Sequence, residues 1–208
     1  KANGTEFDYY ENDGYPKLVT APANTKPSDA YGLNQYLNDN SIINNQNWIK
    51  ENTVKLVSEA TDPDINETIT LYYEVIPNLS SFTTATSEPT GACVSGTAYA
   101  SCASKIWYIA SSSPDFYRYN PYVGTTSITA IPDGSYKWHV LACDDDADCS
   151  SWVVPGANPN FKIDTVDPTA PGALSEASVS ATSISISFSA SSTETNFETY
   201  KIFYKEGI

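Results

Sequence analysis

Alternation of apolar and polar positions runs through most of this chain, and helical periodicity is almost absent. Val54 and Leu56 alternate with Lys55 and Val57, and Ile69, Leu71, Tyr73 and Val75 alternate with Thr70, Tyr72 and Glu74. Ile184, Ile186 and Phe188 alternate with serines. A two-residue period places successive side chains on opposite faces, which is the signature of strands. After the turn-forming Pro132-Asp133-Gly134, the residues Tyr136, Trp138, Val140 and Ala142 share one face of a predicted strand. Lys137 and His139 face the other way, so the strand is expected to be half buried, with His139 on its outer surface. Further strands are predicted at Pro16–Ala21, Lys105–Ala110, Thr125–Ile131 and Asn160–Thr165. The predicted class is all-β, with about seven strands before Val166, enough to close one sandwich.

Between these strands the punctuation divides the chain. Residues 1–14 read as an N-terminal extension or linker, and residues 15–166 as one sandwich carrying two insertions. The first, 23–46, is rich in Asn and Tyr; the second, 79–104, is rich in Ser, Thr and Ala. The run from Asp164 to Gly172 mixes prolines, a glycine and small residues, as linkers between β-domains do. Residues 167–208 then read as the first strands of an incomplete second repeat, Ser180–Ser189 and Thr199–Lys205. Either these residues belong to a longer chain, or a partner's strand completes them by β-augmentation.

Composition narrows the partners. The 208 residues include 25 acidic and 11 basic ones, a net charge of −14, which disfavours nucleic acid and anionic membrane surfaces. No stretch is long and apolar enough to span a bilayer, and no signal-peptide pattern stands at Lys1, so no membrane span is expected in this segment. Four cysteines fall into two close pairs, Cys93 with Cys102 and Cys143 with Cys149. Neither spacing suits zinc, so local disulfides in an oxidising, extracellular compartment are the simpler expectation, with buried thiols as the alternative. Sequons at Asn3, Asn66 and Asn78 would fit a secreted glycoprotein, although such triplets arise readily in a chain this rich in Asn, Ser and Thr.

The segments Asp133–Ala142, Cys143–Trp152 and Phe161–Pro171, with Glu59–Asp64 and the strand after it, resemble prokaryotic extracellular immunoglobulin-like or fibronectin type III-like repeats. The resemblance spans residues 15–166 and implies an immunoglobulin/fibronectin III-like β-sandwich, with Tyr136 at the tyrosine-corner position and Trp138 between the sheets. It implies architecture more than activity. In such a sandwich the loop between the second and third strands lies at the same end as the loop between the sixth and seventh. Asp62, Asp64, Asn66 and Glu67 would then meet Asp144, Asp145, Asp146 and Asp148, hard oxygen ligands of the kind calcium takes. Neither loop is an EF-hand, because Cys149 and Pro155, like Glu67 and Tyr73, replace its required glycine and glutamate. Crowded carboxylates repel; a bound cation would relieve this, and so would hydration.

No catalytic motif accompanies the single histidine, so no enzyme is expected. The reading is a non-catalytic structural or adhesive repeat of a cell-surface protein or filament, assembling with itself or with neighbouring repeats. The alternative is a glycan-binding module presenting Trp107, Tyr117, Tyr119 and Tyr122.

Overall fold

In a computed structural model of the chain, strands hold 38% of the residues and no α-helix occurs among the described ones. Residues 23–64, 66–114, 120–197 and 199–203 are described, together with the strand backbones at 5–8 and 17–20. Among the described residues thirteen strands are present: β1 (Thr5–Asp8), β2 (Lys17–Thr20), β3 (Tyr31–Tyr36), β4 (Trp48–Ile49), β5 (Val54–Ala60), β6 (Thr70–Pro77) and β7 (Cys93–Val94), then β8 (Ile106–Ala110), β9 (Tyr122–Ile128), β10 (Gly134–Cys143), β11 (Phe161–Ile163), β12 (Leu174–Val179) and β13 (Ile184–Phe188).

Two sheets make the core. One is antiparallel in the order β3-β5-β9; the other runs β4-β11-β10-β6-β8-β7, with the two-residue edge strands β4 and β7 pairing in parallel. The alternation in β5 does what it predicts, burying Val54, Leu56, Ser58 and Ala60. These side chains meet Leu71, Tyr73 and Val75 of β6 and Trp138, Val140 and Ala142 of β10 in one core. Polar links cross it: the Tyr73 hydroxyl bonds Ser58 Oγ at 2.8 Å and donates to the Gly124 carbonyl at 3.0 Å. The Trp138 indole donates to Gln35 Oε1 at 2.9 Å, and Gln35 donates in turn to the Asn160 carbonyl. Glycine at 124 lets the sheets approach, since a Cβ there would stand 2.6 Å from Leu71 Cδ1.

Three expectations change. The strand predicted at Pro16–Ala21 appears as β2, but it pairs with β1 inside the supposed extension and joins neither large sheet. Its place beside β5 is taken by β3, from within the supposed insertion 23–46. Its single periodic stretch is short and begins with a half-exposed tyrosine, so composition masked it.

Strand β10 is not half buried. From Tyr136 to Cys143 only Lys137 keeps partial exposure, because residues 79–92 and 149–153 fold over the outer face. Tyr72, Ile106, Leu141, Cys143 and Cys149 form a second small core there, with Tyr108 and Trp152 packed on it. His139 is therefore 3% exposed rather than on the surface.

Beyond Ile163 no described residue is buried. Strands β12 and β13 pair only with each other; β12 was not predicted, and residues 199–203 form no strand. Residues 204–205 of the predicted last strand lie outside the described residues.

Candidate functional site

The end of the sandwich carrying the β5–β6 and β10–β11 loops gathers most of the predicted acidic residues. The Thr68 amide donates to Asp145 Oδ1 at 3.2 Å, and the charges of Asp144, Asp64 and Asp145 all oppose ionisation of Asp62. Asp62 is 1% exposed. Its Oδ1 accepts the Asp64 amide at 2.8 Å, while its buried Oδ2 has no hydrogen-bond partner. Desolvation first, and those neighbouring carboxylates after it, push its carboxyl up to about 6.

Asp144, also buried, organises its own loop. Its Oδ1 accepts the amides of Asp146 and Asp148, both at 2.9 Å, an Asx-type closure that explains why aspartate begins this turn. Asp64 is half buried, Asp146 and Asp148 are exposed, and Glu67 is buried. Among the described residues no three of these carboxylates converge closely enough to hold a metal ion as they stand.

A segment outside the prediction lies across both loops. Asn24 Nδ2 donates to Asp144 Oδ2 at 3.1 Å and to Asp148 Oδ2 at 3.0 Å, and the Thr25 amide donates to Asp64 Oδ2 at 2.6 Å. Ser28 exchanges bonds with Thr61, and Asp29 Oδ1 accepts the Ser151 amide. Asn24 stands 120 residues from Asp144, and nothing local in its sequence signals the contact.

The outer face of β10 holds a second constellation. His139 is stacked between Phe82 and Trp152, at centroid separations of 3.9 and 3.8 Å, and its Nε2 meets Glu74 Oε2. Glu74 also accepts the Thr83 amide, and the Trp152 indole donates to the Ala85 carbonyl. Burial lowers the His139 pKa; the Glu74 contact opposes this and Lys137 reinforces it. Both ring faces are covered, so the group works as a clasp holding the 79–92 loop down.

The remaining predicted residues fare unevenly. Disulfides join Cys93 to Cys102 and Cys143 to Cys149. Trp107 cannot offer a face to a sugar: it is wholly buried, stacked on Tyr99, with its indole donating to the Thr97 carbonyl. Tyr122 is half buried against the core. Tyr117, Tyr119 and Asn3 lie outside the described residues. Asn66 is exposed and Asn78 partly so, each at the edge of a turn.

No helix among the described residues is long and apolar enough to cross a membrane. No family model, curated protein or solved structure matches the chain.

Proposed function

We propose that this chain is a non-catalytic structural or adhesive repeat of an exported surface protein or filament, built on an immunoglobulin/fibronectin III-like sandwich and assembling by strand addition. Numbering β3, β5, β6, β8, β9, β10 and β11 as seven successive strands, the first, second and fifth share one sheet and the third, sixth and seventh the other, as in that architecture. The Tyr136 hydroxyl donates to the Pro132 carbonyl four residues upstream at 2.9 Å, the bond that defines a tyrosine corner. The fourth strand, β8, lies beside the third rather than with the first sheet, unlike a constant-type domain. Two disulfides suit an oxidising compartment.

The observation that carries the assembly reading is the β12–β13 hairpin. Every residue of β12 is exposed, and Leu174, Val179 and Ile184 present apolar surface beside open strand edges. Such an edge is a template for an added strand. Light scattering across a wide concentration range tests this: apparent mass should rise with concentration, and V179K with I184K should hold the chain monomeric. A wild-type chain that stays monomeric throughout would sink the reading.

Glycan binding keeps a second place because of Trp48. Its indole is 40% exposed at the mouth of a cleft of about 560 Å³ that also presents Asp164 and Asn196. Loss of glycan-array signal in W48A would favour it.

A further inference from the structure

We propose that the acidic end of the sandwich takes a divalent cation, calcium by its ligand chemistry, and that the ion fastens residues 24 and 25 across both loops. The buried, unpartnered Oδ2 of Asp62 points to a missing ligand. A carboxylate oxygen removed from water with neither hydrogen bond nor counter-ion is costly, and Asp62 sits at 1% exposure among like charges.

Its neighbours make the same demand. Among the described residues no lysine or arginine pairs with Asp62, Asp64, Asp144 or Asp148; amide N–H groups alone answer them. The candidate donors are all oxygens, without His or Cys, which selects a hard cation. Calcium is favoured over magnesium because the donors come from two loops and a separate segment, a flexible set poorly suited to a strict octahedron.

Asn24 supplies the exchange. In the ion-free arrangement its amide nitrogen bridges Asp144 and Asp148, near the place a cation between them would take. Turning that amide by half a rotation presents its carbonyl oxygen instead, so one side chain serves both states. The ion would draw Asp62, Asp64, Asp144 and Asp148 inward, closing the separation that now keeps any three from converging. Its mechanical consequence is a stiffened entry: residues 24 and 25 come four and five positions after β2 ends at Thr20, and calcium would fix where the chain enters the sandwich.

The test does not involve assembly, so it stands or falls apart from the function proposed above. The full chain, stripped with EDTA and kept dilute, is melted with and without calcium chloride, with magnesium chloride as comparison. Saturating calcium should raise the Tm by about 5 to 10 °C, the stabilisation expected of a ligand near a hundredfold over its Kd, and magnesium by much less. D62N should melt cooperatively without responding to calcium, and N24A should respond weakly. Should D62N fail to fold, hydrogen exchange on the wild type decides: the Thr25 amide should slow several-fold in calcium. An unchanged wild-type Tm overturns the proposal. So does an equal calcium response in D62N, or an unaltered Thr25 exchange rate.

Discussion

Polar atoms in the core divide into those with partners and those without, and the two kinds respond oppositely to removal. Gln35 satisfies the Trp138 indole and the Asn160 carbonyl at once. Q35A should therefore cost about 2 to 3 kcal/mol in urea unfolding, because it strands a buried N–H. Thr126 is equally buried, yet its hydroxyl has no partner. T126V keeps the shape and discards the orphan, and it should stabilise by about 1 kcal/mol. Charge follows the same logic through pH. Burial holds the His139 pKa below its ordinary value in the fold, while an unfolded histidine takes up a proton near pH 6.5. Its contribution is complete above that pH and is lost as the pH falls below it, with Glu74 and Lys137 as the facing charges. Asp62 has the opposite slope: with its carboxyl near 6 in the fold and near 4 unfolded, ionisation costs stability as pH rises from about 4 to 6. In chelator, D62N should thus gain about 1 to 2 kcal/mol at pH 7 and lose stability more steeply than wild type between pH 6 and 4. A D62N chain less stable than wild type at pH 7 would contradict the assigned sign.

At the scale of elements, the loop 79–92 is held to β6, β10 and the segment after β10 by few but specific contacts: Phe82 on His139, the Thr83 amide to Glu74, Trp152 to Ala85, and Tyr72 to Glu88. W152A removes one ring face and one hydrogen bond, so proteolysis within 79–92 should quicken at least several-fold while the global Tm falls by only a few degrees. Equal protease resistance in W152A and wild type would show the loop is fastened elsewhere. This layer also marks where legibility ended. Strands β5, β6, β8 to β11 and β13 could be read because alternation or a dense apolar run survives in each. Strands β4 and β7 are two residues long, and no periodicity can register in two residues. The cover on β10 is only half legible: Lys137 and His139 on the outward face are polar and alternate correctly, while Leu141 and Cys143 further along that face are apolar and mark where the second small core forms. What buries His139 is a pair of aromatics 57 residues before it and 13 after it. The acidic end came within reach through loop topology rather than local pattern, which is why Asp62 and Asp144 were paired and Asn24 was not.

For the whole molecule, the distribution of burial decides how the two parts depend on each other. Among the described residues the core falls between Ala30 and Ile163, and none after Ile163 is buried. What joins the later segment to the sandwich is thin: an exposed ion pair between Lys50 and Asp167, the Asn196 amide on Asp164 Oδ2, and Thr165 bonded to Asp133. Solvent screening leaves an exposed pair of this kind with little effect on stability. Within the segment, Tyr200 stacks on Phe188 and meets Phe197 at a tilt, without a second sheet to cover them. A two-stranded hairpin with so small a cluster is marginal in water. A chain ending at Val166 should therefore melt within about 3 °C of the full chain, with the same cooperativity, because removing residues 167–208 takes almost nothing from the core. The full chain should show excess fluorescence of a hydrophobic dye at low concentration, falling as concentration rises and added strands cover Leu174, Val179 and Ile184; the shortened chain should show neither. A large loss of Tm on shortening would mean the hairpin supports the sandwich, and its exposed strands would then need an explanation other than assembly.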